Sequence, residues 1–165
     1  MKNTLLKSSL ALALAFAGIN TASAATASDQ FDVTITITNE CTIVANDLPF
    51  GSHGGQINAN IDQASTMVVN CNPGAVYEVA LDAGDGAGST VASRFMDDGG
   101  TNTVAYQMYL DASRSQIWGE TSGVDTVGGT GTGANQTLNL YGRVPSGQSV
   151  ASGSYISTVS ATVTF

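Results

Sequence analysis

The sequence predicts an all-β protein built as a two-layer sandwich, and three observations predict it. Apolar and polar residues alternate with a period of two in several short runs, the pattern of strands with one buried face. Clusters of Gly, Asn, Asp and Pro separate those runs, as turns require. Beyond its first two dozen residues the chain is rich in Thr, Ser, Val and Gly and poor in Lys, Glu and Leu, which favours strands over helices. Short strands at this spacing fit an immunoglobulin-like topology. No internal repeat and no second folded domain is visible.

The first segment is not part of that fold. Lys2 and Lys7 form a basic start, Leu10 to Ile19 an apolar run, and Ala22-Ser23-Ala24 a small-x-small end. This is the pattern of a secretory signal peptide, residues 1–24, with cleavage between Ala24 and Ala25. The apolar run is shorter than the roughly 20 residues a membrane span needs, so no span is expected after cleavage. Residues 25–165 have the usual size of one domain.

The strands follow in order. Phe31, Val33, Ile35 and Ile37 alternate with Asp32, Thr34, Thr36 and Thr38, the cleanest strand signal in the chain. Asn39-Glu40 interrupts it, and a second strand begins over Cys41 to Val44. Leu48-Pro49-Phe50-Gly51 reads as a short edge piece, because proline has no N–H for a central ladder. Ala64 to Cys71 is a strand ended by Asn72-Pro73-Gly74. Val76 to Leu81 follows, with Tyr77, Val79 and Leu81 on one face. Arg94-Phe95-Met96 is a short strand, and Val104 to Leu110 places Val104, Tyr106, Met108 and Leu110 on one side. After Ile117-Trp118-Gly119, residues 119–134 read as a long surface loop of Gly and Thr. Thr137 to Val144 is a strand, Pro145 to Gln148 a turn, and Tyr155 to Phe165 the last strand. In that last strand Tyr155, Val159, Ala161, Val163 and Phe165 share the apolar face, and Ser157 interrupts it.

Charge narrows the partners. Both lysines lie in the leader, which leaves Arg94, Arg114 and Arg143 against 13 acidic residues. Such a chain does not hold a phosphate backbone, so neither nucleic acid nor an anionic membrane is expected as a partner. Catalytic patterns are missing. His53 is the only histidine and sits among glycines, and no nucleophile elbow is present. Asp82, Asp85, Asp97 and Asp98 lack the spacing of a calcium loop and read as turn formers. Gly128 to Gly133 lacks the lysine of a phosphate loop, and Asn135-Gln136-Thr137 matches a glycosylation sequon. The expectation is a protein that is not an enzyme, with no catalytic residue, no metal and no cofactor.

Cys41 and Cys71 are the only cysteines. In an oxidising compartment they have one possible intramolecular pairing, a disulfide closing a loop worth about 3–4 kcal/mol in the chain-entropy model. The segment before Cys41 has two readings. It is the first strand of a closed sandwich, or it is a donor strand that completes a neighbouring subunit. A sandwich short of one strand exposes an apolar groove and unpaired edge amides, and a strand from another copy can fill both.

The chain resembles the spore coat protein U domain family, which includes subunits of archaic chaperone–usher pili. The resemblance rests on Arg94-Phe95-Met96, on Val104 to Asp111, on Ile117-Trp118-Gly119, and on Leu140-Tyr141-Gly142-Arg143-Val144-Pro145-Ser146-Gly147-Gln148. Gly153-Ser154-Tyr155 and Val159 to Phe165 extend it, as do Cys41, Leu48 to Gly51 and Cys71. It implies an incomplete immunoglobulin-like sandwich that is completed by a donor strand. The organisation would be a leader over 1–24, a donor-strand extension over 25–39 and a pilin-like domain over 40–165. By position Phe31, Val33, Ile35 and Ile37 anchor the donor. Tyr155, Val159, Ala161, Val163 and Phe165 border the groove and meet a chaperone. The partners implied are like subunits head to tail, a periplasmic chaperone and an outer-membrane usher. The role implied is a structural subunit of a surface fimbria, exported through the periplasm and supporting adhesion and biofilm formation. The rival is a self-complemented secreted coat-like or carbohydrate-binding sandwich that stacks sugars on Trp118 and neighbouring tyrosines; Tyr106 lies on the apolar face with Val104 and Met108 and reads as core, while Tyr109 and Tyr141 fall on the opposite registers.

Overall fold

The computed structural model describes residues 24–165. The leader lies outside the described residues except for Ala24, which is exposed, as is Ala25. Two units divide the chain, residues 1–36 and 37–165. In the first, residues 24–36 are exposed and belong to no helix or strand. The strand expected over Phe31 to Thr38 is therefore not formed. Alternation makes a segment fit for a sheet, but a strand exists only when another strand takes its amides and carbonyls.

The second unit is all β. Its strands are β1 (Cys41–Ala45), β2 (Gln56–Ile57), β3 (Ile61–Cys71), β4 (Val76–Leu81), β5 (Arg94–Asp97), β6 (Thr103–Tyr109), β7 (Val127–Thr130), β8 (Gln136–Val144), β9 (Gln148–Ser149) and β10 (Ala161–Thr164). One sheet has the order β1-β3-β8-β6-β5, a second β10-β4-β7, and β2 with β9 forms a small ribbon. All the ladders are antiparallel. No helix among the described residues is long and apolar enough to cross a membrane.

Period-two burial builds the core. Tyr77, Val79 and Leu81 of β4 face Met67, Val69 and Cys71 of β3, Val104, Tyr106 and Met108 of β6, and Leu140 and Val144 of β8 in one buried cluster. β1 pairs with β3 so that Cys41 stands opposite Cys71, and the two are joined by a disulfide. Gly142 of β8 is there for space. A Cβ on it would come within 2.5 Å of Leu48 and 2.8 Å of Phe50. Leu48 to Gly51 forms no strand; instead Leu48 and Phe50 are half-buried against the core.

Other departures from the sequence reading have physical causes. Residues 119–134 are not all loop, because β7 pairs with β4 there, Val127 opposite Val79 and Thr130 opposite Val76. Gly128 and Gly129 hid that strand. A Cβ on Gly129 would lie 2.5 Å from the Tyr77 ring, so the glycine admits the ring rather than breaking the strand. Ile117-Trp118-Gly119 makes only an isolated bridge, Ile117 to Tyr109. β2 and β9 were not foreseen, and two residues are too few to show a period.

Trp118 is fully buried, 0% exposed, and its indole Nε1 donates to the Val79 carbonyl at 2.9 Å. Tyr106 is buried as well. Tyr109 and Tyr141 oppose each other between β6 and β8 and are half-buried, with the Arg114 guanidinium 5.9 Å from the Tyr141 ring centre. The carbohydrate-stacking surface centred on Trp118 is thereby corrected. Its ring belongs to the core because an indole both fills volume and finds an acceptor there.

Candidate functional site

β1 and β10 define the site. Each has a ladder on one side only, to β3 and β4 respectively. They approach each other with Cα atoms within 8 Å, but no ladder joins them. The inner-face residues beside these edges are half-buried, unlike those deeper in the sandwich. Cys41 and Ile43 of β1 and Leu48 and Phe50 after it are in that state. So are Tyr155, Ser157, Val159, Ala161 and Val163, while Phe165 is exposed. The apolar rows beside the two edges are thus only partly covered by the chain's own sheets. Unpaired edge amides and open apolar faces together form a surface suited to an added strand.

The approach to β10 is held unusually. A full strand over Tyr155 to Phe165 was expected, but only Ala161 to Thr164 pairs as one, while alternating burial runs from Tyr155 to Val163. Acidic side chains and single bridges hold the rest. Ile156 exchanges two backbone hydrogen bonds with Asp97 of β5, at 3.0 and 2.9 Å. The Asp85 amide donates to the Thr158 carbonyl and the Asp82 amide to the Ser160 carbonyl, both at 3.1 Å. In return the Asp85 carboxylate accepts from the Thr158 amide at 2.6 Å and the Asp82 carboxylate from the Ser160 amide at 3.0 Å. The bond from the Thr158 amide holds the Asp85 carboxyl below its ordinary value. Ser157, which interrupts the apolar row, accepts a hydrogen bond from the Tyr106 hydroxyl at 3.0 Å. Burial pushes that phenol up.

Beneath these aspartates lies Arg94, 0% exposed. Its guanidinium donates to the carbonyls of Leu81, Asp82, Val91 and Trp118 at 2.7–3.3 Å and to Gln107 Oε1 at 2.5 Å. Burial lowers its pKa, opposed by the charges of Tyr106 and Asp82, then Glu120 and Asp125. The sequence reading used Arg94 only as part of a motif and took Asp82 and Asp85 for turn formers. An arginine inside an otherwise apolar strand of an arginine-poor chain was the available signal for the first. The aspartates gave none, since bracketing a distant strand and closing a turn need the same residue type.

The other two arginines are also engaged. Arg143 on β8 meets Asp62 on β3, its register partner, through two bonds of 2.7 and 2.8 Å. Arg114 lies 3.4 Å from the same carboxylate. The Arg143 bond holds the Asp62 carboxyl below its ordinary value. His53 is exposed, with its ring Nε2 2.8 Å from the Phe50 carbonyl. No cluster of three metal-ligating side chains occurs among the described residues.

The anchors Phe31, Val33, Ile35 and Ile37 are 86, 87, 84 and 72% exposed. Four large apolar side chains before β1 are thus exposed, in the same chain that leaves the apolar rows beside β1 and β10 partly uncovered.

An all-β sandwich with a disulfide between its first two long strands and a C-terminal edge strand is the setting in which the comparisons fall. The chain belongs to the Spore Coat Protein U domain family, whose model matches residues 27–162. It is 30% identical over 158 residues to Protein U of Myxococcus xanthus, covering 87% of this chain and 88% of that one. Among solved structures it resembles a chain of the CsuC–CsuE chaperone–tip adhesion subunit pre-assembly complex from archaic chaperone–usher Csu pili of Acinetobacter baumannii. That match has a TM-score of 0.59 at 20% identity, over 79% of this chain and 40% of that one, and it shows a shared fold. A weaker likeness, TM-score 0.40 at 16% identity over 74% of this chain and 80% of the other, is to HdaB, the minor tip subunit of the Escherichia coli Hda pilus.

Proposed function

We propose that this protein is a structural subunit of a chaperone–usher pilus and polymerises by donor-strand exchange. What supports the reading is that two parts of the chain are each left unpartnered. The half-buried apolar rows beside β1 and β10 have no ladder between them and on this reading line a furrow short of one strand, and residues 31–37 offer an exposed apolar row with no strand of their own. Donation from one copy to the next is heterologous, so it extends into an open fibre rather than closing a dimer. Each insertion buries four large side chains, worth about 1.5–3 kcal/mol apiece, and pairs the free edge of β10. Before assembly a periplasmic chaperone shields the furrow, and an outer-membrane usher exchanges it for the next subunit. The same reading puts the cleavage between Ala24 and Ala25, the donor extension over 25–39 and the pilin-like domain over 40–165. The fibre then sits on the cell surface, where its role is adhesion and biofilm growth. No catalytic residue is assigned.

Deleting residues 25–38 tests this. The shortened chain should accumulate as a soluble complex with its chaperone and fail to polymerise. A peptide spanning 26–38 should bind the shortened subunit and raise its melting temperature, and a peptide with Asp at 31, 33, 35 and 37 should not. A shortened chain that melts as a stable monomer, indifferent to the peptide, would refute the reading in favour of a closed secreted coat domain.

A further inference from the structure

We infer that the donor segment enters in one register, with Phe31 of one copy set against Ala161 of the next. This deepens the donor-strand reading and rests on it. A strand with a period of two can shift only in steps of two residues without turning its apolar side outward, so the candidate registers are few. What separates them is size. The inner-facing row beside β10 reads Tyr155, Ser157, Val159, Ala161, Val163, and Ala161 is its smallest apolar member. Behind Ala161 stands Leu81, its register partner on β4, which is fully buried and fixed in the core. The donor row reads Phe31, Val33, Ile35, Ile37, and Phe31 is its largest member.

Packed layers set large side chains against small ones across facing positions. Phe31 against Ala161, with the donor antiparallel to β10, puts Val33 against Val159, Ile35 against Ser157 and Ile37 against Tyr155. The smallest donor residue then meets a valine, and the other small wall position receives an isoleucine. The Ser157 hydroxyl oxygen is turned toward Tyr106, whose hydroxyl donates to it at 3.0 Å. A shift of two residues puts Phe31 against Val163 and Val33 against Ala161, which crowds one position and leaves the next underfilled.

The wall is not free to adjust. Its backbone at Thr158 and Ser160 is bracketed by the Asp85 and Asp82 carboxylates. Ala161 is therefore the residue that sets the register and selects an aromatic first anchor.

Paired substitutions in the full-length chain, produced with its chaperone and usher, test the register. Phe31→Cys with Ala161→Cys should give a polymer ladder that survives boiling and collapses on adding thiol. The offset pairs Val33→Cys with Ala161→Cys and Phe31→Cys with Val163→Cys should give a ladder that collapses on boiling alone. Because added cysteines can disturb the native bridge, a size exchange serves as the second measurement. Ala161→Leu should abolish the ladder, and adding Phe31→Ala should restore it. A boiling-resistant ladder from an offset pair, or rescue of Ala161→Leu by Val33→Ala and not by Phe31→Ala, overturns the register and leaves donor exchange standing. A wild-type chain with no heat-sensitive ladder overturns both.

Discussion

Arg94 holds a charge in the core with no carboxylate bonded to it, and four carbonyl groups and an amide oxygen do the work of a counterion. It ties the end of β4 to β5, β6 and Trp118. Arg94→Met removes every donor and leaves buried acceptors unpaired, so it should destabilise by about 3–5 kcal/mol in urea unfolding. Arg94→Lys should recover only part of that, because an ammonium cannot span acceptors arranged for a planar fork. The carboxylates act with opposite sign in pH. Asp85 and Asp98 have folded pKa values depressed below 3.8, the first by the Thr158 amide and the second by the Asn102 side chain. Asp111 is depressed by bonds from Ser113 and then the Gln116 amide. A depressed carboxylate contributes stability that is fully present above its unfolded pKa and is lost as pH falls through the folded one. Melting temperature should therefore be level from pH 7 to about 5 and fall below about 4. Asp85→Asn should flatten part of that acid limb; an unchanged limb would remove Asp85 from the account.

At the scale of elements, what sequence could show depended on how each strand is buried. β4 was legible in full, Val76 to Leu81, because one face is wholly buried and the other is not. β7 was not, because the glycines that admit the Tyr77 ring look like loop residues. The C-terminal run was legible as an alternation but not as a mixed structure, since its brackets come from aspartates some 75 residues away in sequence. The segment before Cys41 was open to two readings, first strand of a closed sandwich or donor strand. Alternation in residues 31–37 shows that a face is meant for burial and says nothing about which molecule buries it. Gly142→Ala tests how tightly the groove side is packed. The new methyl would meet Leu48 and Phe50, and the expected loss is about 1–3 kcal/mol by thermal melt or urea titration.

For the whole molecule, under the donor-strand proposal, folding and assembly draw on separate parts of one chain. The core, with Trp118, Arg94 and the Cys41–Cys71 bridge, gives a sandwich in which β1 and β10 are edge strands with no ladder between them. Reducing that bridge should lower the stability of the isolated subunit by about 2–4 kcal/mol, and an unchanged melting temperature would deny it a structural role. Under the same proposal, the acidic composition, with each arginine engaged, sets like charges between copies and leaves their association to apolar insertion.

The central claim is that residues 31–37 of one copy complete the next. The most direct measurement is a denaturing gel of unheated surface extracts from cells carrying this chain with its chaperone and usher. The account predicts a ladder of subunit multiples that collapses on boiling and is absent when Phe31, Val33, Ile35 and Ile37 are all replaced by Asp. A single monomer band from the unaltered chain, heated or not, or a ladder that survives the four replacements, would contradict it.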